Sequence, residues 1–168
     1  MGGIGKTSLL KHFFAYYSNK DAYHSIHICK YTNSIEETIA AIPFNGFNDA
    51  KFLNSIVDPS ITKTKALYQR KMILLQNLST ECLLVIDGAD YINEMELIPL
   101  TTLGCSIIIS SRNKYNFCAN YHLKSLSEDS LIQMLFAYAN EEYNEKEAKY
   151  AQEIVKKMGY HTLMIKLI

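Results

Sequence analysis

Three residues near the start of the chain, Gly5, Lys6 and Thr7, have the types and order that suit holding phosphate. They complete the pattern G-x-x-x-x-G-K-S/T, in which glycines let successive backbone N–H groups converge on anionic oxygens. The lysine then reaches the β- and γ-phosphates, and the threonine hydroxyl ligates a magnesium ion. A helix opening here adds the partial positive charge of its N-terminus. The pattern's first glycine falls one position before Met1, as does the buried strand that feeds such a loop. The chain is therefore read as a fragment, or mis-started product, of a longer protein.

Three further places could share that chemistry. Cys82-Leu83-Leu84-Val85-Ile86 is an unbroken apolar run that delivers Asp87, a carboxylate suited to a metal or its bound water. Arg112 is one of two arginines and follows the apolar run Cys105–Ile109 through Ser110-Ser111, where a cation can sense a γ-phosphate. His161-Thr162 opens the last helical stretch, and both a nucleotide-facing and a capping role stay open. His12, His24, His27 and His122 have no partner spacing and read as structural.

The elements that must position these residues follow from periodicity. Leu9, Leu10, Phe13, Phe14 and Tyr17 give a helix over 6–18 with one buried stripe. His24–Tyr31 alternates as a strand, and Asn33-Ser34-Ile35-Glu36 has the form of a capping box for a helix to about Ala41. Residues 45–57 are ambiguous between loop and short helix, and a longer helix runs from about Thr62 to Asn77. The runs 82–86 and 105–109 are the kind covered on both faces of a parallel sheet. A weaker strand is expected over Tyr121–Leu126. Beyond Ser127, helices begin at Ser127-Glu128-Asp129, at Asn144-Glu145 and at His161, with Gly159 closing the second. The expectation is an α/β domain over 1–126 and the start of a helical subdomain over 127–168.

At 168 residues the chain is one domain by size, able to bury roughly 70% of its unfolded surface. Its 17 basic and 17 acidic residues cancel, which argues against a large nucleic-acid or membrane-binding patch. Cys29, Cys82, Cys105 and Cys118 have neither zinc nor C-x-x-C spacing and read as reduced, buried thiols. No apolar run approaches the ~20 residues of a membrane span, so a soluble cytoplasmic protein is expected.

Taken together, Met1–Leu9, Leu83–Asp87, Gly104–Asn113 and Gly159–Ile165 resemble, in order, the motifs of the NB-ARC nucleotide-binding module, within the STAND class of P-loop ATPases. The last segment is similar to the family's Gly-Leu-Pro-Leu-Ala region in a Gly-x-His-Thr-Leu form associated with bacterial members. The resemblance implies a P-loop NTPase-like parallel sheet, lacking its first strand here, followed by an ARC-type helical subdomain. It implies a regulatory switch that is closed with ADP and opens to a homo-oligomer with ATP. Gly2, Gly3, Ile4, Gly5, Lys6, Thr7 and Ser8 would form the phosphate loop, with Thr7 and Asp87 serving Mg2+. Arg112 would sense the γ-phosphate, and Thr162 falls where the family's proline lies against the nucleotide. Partners implied are adenine nucleotide and the remainder of a longer protein carrying a winged helix and sensor repeats, with no nucleic acid or membrane bound by this segment. Many members carry a second acid after the Walker B aspartate. Gly88 stands there, so nucleotide binding with slow hydrolysis at most is expected. The alternatives are an active AAA-like ATPase and a remnant that binds nothing.

Overall fold

The computed structural model describes residues 3–18, 20 and 22–166. The chain divides into two compact units, Leu10–Cys118 in one and Met1–Leu9 with Ala119–Ile168 in the other. The boundary falls inside the first helix, α1 (Lys6–Ser18).

The larger unit holds a three-stranded, all-parallel open sheet, β1 (Ser25–Lys30), β2 (Cys82–Asp87) and β3 (Ser106–Ile109), in the spatial order β1-β2-β3. Register pairs Lys30 with Asp87 and Ile86 with Ile109, so all three carboxyl ends reach the same edge. Parallel neighbours need long crossovers. The first is supplied by α2 (Ile35–Ala40), α3 (Asp49–Asn54) and α4 (Lys63–Gln76), the second by α5 (Glu94–Leu97) and a 3-10 turn over Ile98–Thr102.

β2 is the central strand, and its first five residues are all buried. Cys82, Leu84 and Ile86 point into the main core with Ile35 and Ile39 of α2 and Met72 and Leu75 of α4. Leu83 and Val85, on the opposite face, are buried as well. Two-sided burial explains why this strand reads as a continuous apolar run rather than an alternation. The α4 core face also contains Lys71, whose fully buried ammonium donates to Ala40 O at 2.5 Å and pairs with Asp49 at 2.7 Å. One cation thereby ties α4 to the end of α2 and the start of α3.

Several expectations change in detail. The cap of α2 lies one residue later, at Ser34: its hydroxyl accepts from Glu37 N at 3.1 Å, and Asn33 Nδ2 donates to the Glu37 carboxylate. The ambiguous stretch contains α3, capped by Asn48. No residue of α1 is buried: Leu10, Phe13 and Tyr17 are half-buried, whereas Leu9 and Phe14 are exposed. No strand forms over Tyr121–Leu126, where Tyr121 is 96% exposed and the backbone belongs to no sheet among the described residues. Cys118 is exposed rather than buried.

In the other unit, α6 (Glu128–Ala139), α7 (Glu145–Lys157) and α8 (Thr162–Lys166) pack Leu131, Ile132, Phe136, Ala151, Val155 and Ile165 into a second core. Ser127 and Asn144 cap the first two helices, as their sequences suggest. α7 ends on Gly159, with Gly159 N donating to Lys156 O and Tyr160 N to Val155 O, the paired bonds of a Schellman motif. Among the described residues no helix is long and apolar enough to cross a membrane.

Candidate functional site

Two clusters contain the residues singled out in the sequence, one in each unit. The first lies at the carboxyl edge of the sheet. β2 ends at Asp87, and the next residue along the adjacent strand β3 is Ser110. Ser110 continues the ladder by donating its N–H to Ile86 O at 2.9 Å and accepting from Ala89 N at 2.9 Å. Ser110 is only 8% exposed, and its hydroxyl donates to Asp87 Oδ1 and accepts from Gly88 N at 2.8 Å. One hydroxyl thus fixes both the carboxylate and the turn that follows it.

The loops after β2 and β3 are bound together by further pairs. Ser111 Oγ and the buried Tyr115 hydroxyl each donate to Ala89 O at 2.9 Å. Asn113 Nδ2 donates to Asp90 O at 2.8 Å. Arg112 meets Asp90 twice: its backbone N–H donates to Oδ1 at 2.7 Å, and its Nε lies 2.9 Å from Oδ2. Asp90 is the first carboxylate after Gly88 in the chain; its grip on Arg112 depends on β2 and β3 being adjacent, which no local pattern reveals.

Two titratable side chains near this edge, Cys29 and Tyr31, are pushed toward their neutral forms. Cys29, on β1 beside Ile86, donates its thiol to Val85 O at 3.4 Å, and burial pushes its pKa up to about 12. It stays a neutral thiol at physiological pH. Tyr31 is likewise raised, by desolvation first and then by Glu96, Tyr115 and Glu37.

The second cluster is the glycine loop and the segment before α8. Gly3 and Gly5 both have positive φ, 74° and 102°, and bracket Ile4. α1 then starts at Lys6, with Leu9 N donating to Gly5 O at 2.8 Å. Gly5 has open space around it, whereas Gly3 is tightly covered. A Cβ on Gly3 would overlap His161 Cε1 and stand 2.8 Å from Leu163 Cβ. Thr162 Oγ1 donates to Gly3 O, so this hydroxyl grips the loop itself. His161 Nδ1 is buried and has no hydrogen-bond partner among the described residues. Gly3, Ile4, Ser125, Tyr160, His161 and Thr162 line a small hollow there, with room for about one water.

The structure therefore brings together Asp87 and Arg112 through their neighbours Ser110 and Asp90, and separately Gly3 and Thr162. Ile4, Gly5, Lys6, Thr7 and Ser8 continue the second cluster into the first turn of α1. Gly2 lies outside the described residues. The first cluster contains one fixed carboxylate oxygen, and the second two positive-φ glycines ahead of a lysine and two hydroxyls; among the described residues no group of three or more His, Cys, Asp or Glu could hold a metal ion. Comparison with known proteins finds no matching family model, no matching curated protein and no matching solved structure.

Proposed function

We propose that this chain is an ADP/ATP-binding switch module of the P-loop type, similar to the NB-ARC domains of STAND proteins. The observation that carries the proposal is the carboxyl edge of the parallel sheet. There Asp87 ends the central strand, and Ser110 and Arg112 follow the adjacent one. In open α/β sheets, ligands bind outside the carboxyl ends of the strands. The paired positive-φ glycines immediately before α1 supply the second half of the argument, a backbone shape suited to phosphate oxygens.

On this reading Gly3, Gly5, Lys6, Thr7 and Ser8 hold the phosphates, and Thr7 and Asp87 hold Mg2+. The metal would supply charge neutralisation at the β- and γ-phosphates. Ser110 orients the Asp87 carboxylate, and Arg112 reads the terminal phosphate. Activation of an attacking water is weakly provided for. Gly88 follows Asp87, and the next carboxylate, Asp90, is occupied with Arg112. The proposed module is a switch that binds nucleotide and hydrolyses it slowly at most, working in the cytoplasm, where ATP and magnesium are plentiful.

Isothermal titration with ADP tests the proposal, run with and without magnesium on wild type and on Asp87→Ala. One equivalent bound, tightened by magnesium in wild type only, is the expected result. Equal binding with and without magnesium in both proteins would remove Asp87 from the site, and no binding at all would refute the switch.

A further inference from the structure

We propose that Asp90 is a brake on Arg112, holding its guanidinium until a third phosphate competes for it. The inference rests on the nucleotide-switch reading and adds to it how di- and triphosphate are told apart.

The geometry separates two kinds of contact to one carboxylate. Asp90 Oδ1 accepts from the backbone N–H of Arg112 at 2.7 Å, while Oδ2 faces Nε of the same residue at 2.9 Å. The first contact fixes the loop, together with the Asn113 bond to Asp90 O and the Ser111 and Tyr115 bonds to Ala89 O. It persists whichever way the arginine side chain points. The second contact depends only on the side-chain rotamer.

Exposure shows which partner moves. The Asp90 side chain is 14% exposed and bonded into the loop, whereas that of Arg112 is 47% exposed. Turning the guanidinium toward another anion leaves the backbone network intact. A partly solvated ion pair of this kind is weak. A phosphate group with several charged oxygens engages the guanidinium fork more strongly than one carboxylate oxygen at Nε. The pair is therefore strong enough to define a resting position and weak enough to be displaced.

Asp90 is thus a positioning residue that acts through Arg112. It sets the cost of recruiting the arginine to a triphosphate and leaves diphosphate binding, which does not recruit Arg112, unaffected. A purely structural Asp90 would alter both nucleotides alike.

The test compares ADP with a non-hydrolysable ATP analogue, both with magnesium, by titration of the full chain. Asp90→Asn keeps an oxygen for the Arg112 N–H and removes the charge facing Nε. Its affinity for the triphosphate should rise about two- to five-fold over wild type, with ADP unchanged. Arg112→Gln should bind the triphosphate more weakly than wild type, and adding Asp90→Asn to it should change nothing further. An Asp90→Asn variant that weakens both nucleotides equally, or that favours ADP, overturns the brake while leaving the switch standing. Absence of binding of either nucleotide to wild type refutes the switch, and the brake with it.

Discussion

Ser110 Oγ donates to Asp87 Oδ1 and accepts from Gly88 N, so one buried hydroxyl on the strand next door holds the carboxylate at the end of the central strand. The two residues are 23 positions apart and meet only because β2 and β3 are parallel neighbours in register. That bond fixes the orientation of the Asp87 carboxylate, as supporting hydrogen bonds do for metal-ligating carboxylates, the role proposed for it above.

Removing that hydroxyl deletes its bond to Asp87 Oδ1 and the bond it accepts from the Gly88 N–H. Ser110→Ala should cost about 1–3 kcal/mol of stability by urea unfolding. It should also weaken magnesium-dependent nucleotide binding more than binding without magnesium. A variant as stable as wild type would show that Ser110 is not what holds Asp87.

The Lys71–Asp49 pair gives an asymmetric expectation. The ammonium is fully buried, whereas the Asp49 side chain is 42% exposed. Among the described residues Asp49→Ala leaves the buried charge with the Ala40 carbonyl and should cost roughly 2–3 kcal/mol, below the 3–5 of a wholly buried pair. Lys71→Met keeps the volume and leaves the aspartate near water, so its cost should be near the ~1 kcal/mol of one hydrogen bond. Denaturant unfolding of the two variants decides; the reverse order would contradict the assignment of Lys71 as the buried partner.

His27 sets a pH dependence with a definite sign. It packs on Phe44 with ring centroids 4.9 Å apart, and desolvation lowers its pKa below 6.5. The unfolded chain then binds the proton more readily than the folded one. The stabilisation is complete above pH 6.5 and is lost as pH falls from there toward the lowered folded-state value. Melting temperatures of wild type and His27→Gln across that interval should diverge in slope, with wild type the steeper. Parallel curves would show that His27 does not titrate differently on folding.

What the sequence made legible was chiefly local. Ser127 and Asn144 read as helix caps because capping needs only the residues beside it, and β2 read as a buried strand because both its faces are apolar. Tyr121–Leu126 misled because a strand forms only by pairing with a second one, and among the described residues this segment belongs to no sheet. α1 misled differently, its apolar spacing holding while its burial did not. Within the candidate site, Asp87 and Arg112 stood out by type and position. Ser110 and Asp90, which hold them, did not, because a serine or aspartate in a loop acquires that role only from the strand packed alongside. Lys71 was invisible for the same reason.

Thermal unfolding of this chain with and without magnesium-ADP, beside a Lys6→Ala variant, tests the nucleotide switch most directly. Ligand at 100 times its dissociation constant adds about 2.7 kcal/mol. For a chain of this size that corresponds to a rise of roughly 5–10 °C in Tm. The account predicts that rise in wild type and little or none in Lys6→Ala. An unchanged melting temperature in wild type, or an equal rise in both proteins, would contradict it.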